Sequence, residues 1–440
     1  MLLAKTDASG KSVTYTYTGN SKLEIRNWAR KDGTNDLVTT YSYNNAGDLT
    51  GIDYSDSTPD VSFTYDRLGR QKTAESSVSS HAFTYNGLLL DSETIVSSAG
   101  TNVLDRSYDS LGRPVAAALR AVADPDPAYQ VFYAYDGFGR LNQISNFQFQ
   151  ASYSYLPNSD LLSSYTLGNL TVSRTYEQNR NLLTQVKNEA GGATLSQFDY
   201  LNDAGGRRTS VKHSGTAFET GPAFNKYDYN SRSEVIVGDR FWGTNPDDTG
   251  DPVLGQGFAY MYDNIGNRTA SSRDNEEVSY TANSLNQYSQ RTVADLIDII
   301  GSAETNTTVT VNSEPVNRHD KYWYYGLGVT NDLSAVYQEV NVVGVYSPPD
   351  TNEPDVVSSE TGHVFVAKTP EQFTYDDDGN MLSDGRFNYS WDCENRLIAA
   401  ETLPDLPTSV PYRGSGEFGA GKQGENRGHK REKLEIKARD

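Results

Sequence analysis

Tyr65-Asp66-Arg67-Leu68-Gly69-Arg70 decides the fold of this chain. The pattern returns as Tyr108-Asp109-Ser110-Leu111-Gly112-Arg113 and as Tyr135-Asp136-Gly137-Phe138-Gly139-Arg140. With asparagine as its last residue it returns again as Tyr262-Asp263-Asn264-Ile265-Gly266-Asn267. Such a unit is a hairpin signature. The tyrosine ends one strand, the aspartate accepts hydrogen bonds from the turn backbone two residues on, the glycine supplies the positive φ, and the basic residue starts the return strand. Tyr65 and Arg70 flank the turn and are expected to stack there, while Asp66 pairs with Arg70. All of these jobs are structural.

Working outward, the turn tyrosine serves as a ruler. It marks repeats at Tyr43, Tyr65, Tyr85, Tyr108, Tyr135, Tyr155, Tyr176, Tyr200, Tyr229 and Tyr262, at intervals of 20 to 33 residues. That period fits one hairpin per repeat, with two strands of about five or six residues. Alternation confirms the strands: in Val61-Ser62-Phe63-Thr64-Tyr65 and Val131-Phe132-Tyr133-Ala134-Tyr135 apolar or aromatic residues fall at every second position, so one face is buried. Helical periodicity is nearly absent, its best candidate being the short run Val293 to Ile300.

Residues 280–288, Tyr280 to Tyr288, still read as a repeat, but from 291 to 372 the ruler fails. This span is expected to be an inserted small β-sandwich module with strands at Thr308 to Val311, Tyr322 to Tyr325, Val336 to Val345 and Val364 to Val366. Its loop Ser347 to Pro354 is rich in breakers and is expected to be mobile. Repeats resume over 373–401 with Tyr375-Asp376-Asp377-Asp378-Gly379-Asn380 and Tyr389-Ser390-Trp391-Asp392-Cys393-Glu394-Asn395-Arg396-Leu397. Residues 402–440 change composition abruptly and are expected to form a disordered tail. The organisation is therefore repeats over 1–290, the module over 291–372, repeats over 373–401, then the tail.

Composition narrows the function. A formal charge of −20, spread along 440 residues, argues against nucleic acid as a partner. One cysteine, Cys393, excludes an internal disulfide framework, so stability has to come from stacking neighbouring repeats. The amino terminus lacks the apolar stretch of a signal peptide, and no segment approaches the roughly 18 apolar residues of a membrane span.

The repeated units resemble the bacterial RHS family, whose YD repeats also occur in the teneurins and in the C components of bacterial toxin complexes. The resemblance covers residues 40 to 290 and 370 to 401, and Trp391-Asp392-Cys393-Glu394-Asn395-Arg396-Leu397 is similar to the family's W-D-A-E-N-R-L type of repeat, with Cys393 where a small residue is usual. It implies an all-β fold in which tandem hairpins make one spiralling sheet, a shell that encloses a toxin segment or forms a cell-surface contact domain. The parent protein would be secreted or displayed on the cell. No segment here matches the self-cleaving core that a full member carries, so the chain is expected to be a partial or truncated member.

Candidate sites follow. The repeat-turn residues Tyr65, Asp66, Gly69, Arg70, Tyr108, Asp109, Gly112, Arg113, Tyr135, Asp136, Gly139, Arg140, Tyr262, Asp263, Gly266, Tyr375, Asp376 and Gly379 have structural roles. The aromatic run Tyr322, Trp323, Tyr324 and Tyr325 is the candidate platform for a sugar ring, which makes a carbohydrate-binding adhesin the rival to a shell. Alternation would instead turn every second member of the run into the module's core. The five histidines are scattered without a partner at ligand spacing, and Cys393 has no histidine near it, so neither a metal site nor a nucleophile is expected. The run Asp376-Asp377-Asp378 departs from calcium-loop spacing because its glycine is fourth, where the turn needs it. A glycan-active enzyme would need paired carboxylates, yet the acids are accounted for by turns or a solvated face. The expectation is a non-enzymatic protein without cofactor or metal, whose partners are an encapsulated toxin segment or a cell-surface glycan or protein.

Overall fold

In the computed structural model the chain is all-β, and the described residues are 1–440 apart from 123, 125, 219, 275, 350–352, 405, 407–434 and 439–440. One sheet holds 26 strands. From Ala4–Thr6 to Tyr288–Arg291 each strand pairs antiparallel with its predecessor in the sequence, a single uninterrupted meander. Laid flat at about 4.8 Å per strand it would extend about 125 Å.

The sheet does not lie flat, and the turns supply the reason. At every Tyr-Asp turn the ladder skips a residue: Thr64 faces Thr73 but Tyr65 faces Gln71, and the same slip occurs at Tyr108, Tyr135, Tyr155, Tyr176, Tyr229 and Tyr262. Each slip is a β-bulge, which increases local twist and bends the strand. Repeated at one edge of the sheet, it curls the sheet into a spiral. The two faces differ chemically. Phe63, Tyr65, Tyr133, Phe198 and Tyr200 share one face with Arg174, whereas hydroxyl pairs such as Thr64 with Thr73 and Thr175 with Thr184 line the other.

One position of the tyrosine ruler is corrected by the register. Tyr200 lies inside the strand Ala193–Asn202 opposite Val211, and the turn belongs to Asn202-Asp203-Ala204-Gly205-Gly206-Arg207. Tyr280 likewise faces Arg291 from within Glu276–Ala282, and its turn begins at Ala282, with Asn286 at φ 62° where other repeats have glycine. The aspartate or asparagine and the left-handed residue locate a turn; the tyrosine is dispensable.

After Tyr288–Arg291 the chain leaves the sheet, and it returns as Glu371–Gln372 beside the strand it left, Gln290 facing Gln372 and Arg291 facing Glu371. Between them lie two small sheets. One contains Asn317–His319, Tyr322–Gly328 and Leu296–Ser302; the other contains Glu314–Pro315, Thr307–Val311, Val336–Tyr346 and Val356–Val366. They pack face to face through Ile297, Ile299 and Trp323 on one side and Val309, Val311, Val340, Val342 and Val366 on the other. The run Val293 to Ile300 is thus no helix: Leu296–Ser302 alternates, burying Ile297 and Ile299. Val356–Val366 is eleven residues long, where alternation revealed only its last three, because its first eight are exposed.

Residues 350–352 of the breaker-rich loop and most of the expected disordered tail lie outside the described residues. Within the tail, Glu435–Ala438 forms a strand beside Leu296–Ser302.

Gly301 makes the sandwich possible, since a Cβ there would sit 2.3 Å from Trp323 Cζ2. Gly301→Ala is expected to destabilise the module by about 1–3 kcal/mol through overpacking. Urea unfolding of the variant followed by tryptophan fluorescence should show an earlier transition, and an unchanged curve would contradict this packing.

Candidate functional site

Each turn is built as its sequence dictates. In the first of the quoted units Asp66 Oδ1 accepts from the Leu68 N–H at 2.8 Å and the Arg70 N–H at 3.0 Å, while Arg70 Nε donates to Oδ2 at 2.7 Å. Asp109 with Arg113 and Asp136 with Arg140 repeat these bonds. Gly69, Gly112, Gly139, Gly266 and Gly379 all take φ between 77° and 95°, as the turn requires.

The arginine does not stack on its own tyrosine. The Arg70 guanidinium lies 4.2 Å from the ring of Tyr85 in the next repeat, Arg113 4.4 Å from Tyr135, and Arg140 4.4 Å from Tyr155. Each tyrosine hydroxyl reaches back in turn. Tyr85 donates to Gln71 O, Tyr108 to Leu90 O, Tyr135 to Pro114 O and Tyr262 to Val235 O, all within 3.0 Å. Arg70 also bonds Gly87 O, and Arg140 bonds Ser159 O. The hairpin ends are therefore stitched repeat to repeat along one edge. Sequence reading had the residues right and the partner wrong by one repeat.

The candidate functional site is the seam where the resumed repeats, a separate four-stranded sheet of Thr374–Tyr375, Met381–Ser383, Phe387–Trp391 and Leu397–Thr402, meet the first strands of the main sheet. Tyr375 donates to Tyr288 O at 2.9 Å, which sets the resumed repeats beside the sheet's last turn. The turns at 375–380 and 391–396 then sit on the opposite edge of the first strands. Arg30 is the hub. Its Nε lies 3.2 Å from Asp378 and 3.4 Å from Asp376, and its two Nη atoms donate to Trp391 O at 2.9 Å and Asp392 O at 2.6 Å. The Arg30 side chain is 13% exposed, those of Asp376 and Asp378 7% and 2%. Around it, the Ala29 N–H donates to Asp378, Lys11 pairs with Asp377 at 2.8 Å, and the Cys393 N–H donates to Thr58 Oγ1 at 3.0 Å. Burial, reinforced by the neighbouring Glu394, pushes the Tyr54 hydroxyl up to about 12.

Three sequence expectations are answered here. The acids of Asp376-Asp377-Asp378 carry Arg30 and Lys11, so the loop's charges are met by protein cations. Cys393 is a fully buried packing residue against Thr39, its thiol pushed up by burial. The histidines stay apart: His81 meets Glu93, His319 stacks on Trp242, His363 on Tyr337, and burial, with Arg240 nearby, lowers His213 to about 4, while His429 lies outside the described residues. Among the described residues no group of three or more His, Cys, Asp or Glu could hold a metal ion, and no helix is long and apolar enough to cross a membrane.

The aromatic run is corrected as a platform. Trp323 is completely buried in the sandwich core, and Tyr325 packs against that core. Tyr322, buried with Ala223, Trp242 and Val253, donates to Leu254 O at 2.6 Å and so anchors the module to the main sheet. Tyr324 donates to Asp298 at 2.9 Å. The indole face of Trp323 is closed to a sugar because both sheets cover it. Sequence reading missed the seam altogether; its only trace is Asp378 and Glu394 at a turn position where other repeats carry Leu68, Leu111, Phe138 and Ile265.

No known protein family matches the sequence, and no curated protein matches it. Among solved structures, the Photorhabdus luminescens Tc holotoxin pore aligns over 92% of this chain at 12% identity and a TM-score of 0.43. The TcdB2–TccC3 complex aligns over 88% at 13% identity and a TM-score of 0.41. This chain spans 22% of the length of each of those toxin-complex chains. A porin-like protein from Bacteroides uniformis aligns over 48% of this chain and 90% of its own, at 12% identity and a TM-score of 0.17.

The turns make stability depend on acid. Bonds from the Arg70 side chain hold Asp66 below the ordinary 3.8, and bonds from the backbone N–H groups of Arg113 and Arg207 hold Asp109 and Asp203 there too. With the folded values depressed, the unfolded chain binds protons first on acidification. The contribution is complete above 3.8 and is lost as pH falls through the folded values. Melting temperature should therefore fall steeply below about pH 4. A variant with Asp66, Asp109 and Asp203 changed to Asn should show a shallower fall; identical acid profiles would refute the assignment.

Proposed function

We propose that this chain is a wall: a non-enzymatic structural segment of a hairpin-repeat shell that encloses a polypeptide. The observation that carries the reading is the seam. A sheet about 125 Å long if flat is followed by the four-stranded sheet of the resumed repeats, which reaches the main sheet's first strands through Arg30 and Cys393, its turns seated on the opposite edge of those strands. That geometry is one completed turn of a spiral. It creates an inside and an outside, which an open sheet lacks.

The repeat chemistry supports the same reading, because the turn acids serve hairpin bonds or the seam and their side chains are committed. The resemblance of the repeats to those of RHS proteins suggests the cargo, a toxin segment, within an exported or surface-displayed parent. The adhesin reading loses its best residues, since Trp323 is buried and Tyr322 is an anchor.

Two measurements test this. Arg30→Ala leaves the two carboxylates of Asp376 and Asp378 without their buried partner, at a cost of about 3–5 kcal/mol. The radius from small-angle scattering should grow as the seam opens, and an unchanged radius would remove the seam as the closing element. For enclosure, an unfolded passenger fused after Asp440 of the full chain should resist protease at least severalfold longer than the free passenger. Cleavage at equal rates would overturn the wall reading.

A further inference from the structure

A cavity of about 610 Å³ opens where three parts of the chain meet: the last hairpins of the main sheet, the inserted sandwich and the resumed repeats. It is separate from the seam. Its walls are aromatic, and two of its cations are held between rings. The Arg268 guanidinium lies 4.9 Å from Tyr260 and 5.8 Å from Tyr280; that of Arg386 lies 5.0 Å from Phe365 and 5.1 Å from Phe387.

The charges around them are already matched. Arg273 pairs with Asp298 at 2.7 Å, Arg291 pairs with Glu371, and Asp384 accepts the Tyr389 hydroxyl and two backbone N–H groups. Glu276 is the one further acid of the lining, and it is exposed to solvent. Arg268 and Arg386 make no ion pair among the described residues; the Arg268 guanidinium bonds the Tyr280 hydroxyl, and the Nε of each arginine is buried without a hydrogen-bond partner. A buried donor without an acceptor is costly; Arg26, Arg174 and Arg208 also hold such an Nε, and Arg268 and Arg386 bring two of them to one cavity.

We propose that this cavity binds an aryl carboxylate, the carboxylate accepting from Arg268 and Arg386 and the ring lying among Tyr260, Tyr280, Phe365 and Phe387. Planar guanidiniums fixed by ring stacking present donors in the fork that suits a carboxylate. The volume suits a small organic molecule, or the acidic and aromatic side chains of one short peptide stretch. The proposal goes beyond the wall role and does not depend on it.

Calorimetric titration of the full chain tests it with phenylacetate, neutral phenylacetamide and an unstructured peptide of alternating aspartate and phenylalanine. Saturable binding of phenylacetate identifies a free small molecule as the source of the carboxylate, binding of the peptide alone identifies a polypeptide segment, and either supports the site. Phenylacetamide should bind at least about tenfold more weakly, as should phenylacetate to R268Q or R386Q, each losing one charge-assisted bond. Arg174→Gln, on the same face of the sheet but outside the cavity, should bind as the parent does. Should the variants misfold, phenylglyoxal modification of the parent chain, read by peptide mass, should be slowed at Arg386 by the bound carboxylate. Absence of saturable binding by both carboxylate probes, or binding undiminished in both variants with no protection of Arg386, overturns the proposal.

Discussion

Everything in this molecule depends on one contact made again and again: the guanidinium of one turn over the tyrosine ring of the next. That tyrosine's hydroxyl bonds the backbone just past the turn before it. Each such contact is worth only about 0.5–1 kcal/mol for the stacking and about 1 kcal/mol for the hydrogen bond. A meander of short hairpins has few alternatives. Its buried side chains are scattered singly, as with Val103, Val172 and Val211, so neighbouring hairpins have to be fastened at their ends. Among the described residues the concentrated cores lie in and beneath the inserted sandwich.

The same turns set the shape. A bulge placed always just before the turn bends each hairpin in one sense, and regular bending of a long sheet brings its ends together. Where they meet, the contact changes character from stacking to buried charge. Arg30 serves Asp376, Asp378 and three acceptors on the Trp391 to Asn395 turn. Buried ion pairs contribute little net stability and much specificity, because a wrongly seated turn would leave the charge unmet. The seam thus acts as a register mark for the spiral.

Much of this was legible beforehand. Alternation placed the strands, Asp-x-x-Gly placed the turns, and the failure of the tyrosine spacing marked the insertion. The errors are equally physical. Tyr200 falls on the ruler without being a turn residue because tyrosine is also the common residue of the aromatic face. The pairing of Arg70 with Tyr85 was invisible because residues across a turn are close in sequence while residues across neighbouring turns are not. The Val293 to Ile300 run was ambiguous as any short apolar segment is. Val356–Val366 carried no burial signal at its exposed end.

The sequence alone determined that this is an all-β chain of tandem hairpins with an interruption after residue 290, because a turn needs only its own six residues and a strand only its own alternation. The tertiary structure decided that the resumed repeats close on the first strands of the main sheet, that Tyr322 and Trp323 are an anchor and a core, and that Arg268 and Arg386 face one cavity. Those facts join residues such as Arg30 and Asp392, 362 positions apart. Local chemistry cannot encode that distance; the accumulated bend of a dozen bulged hairpins does.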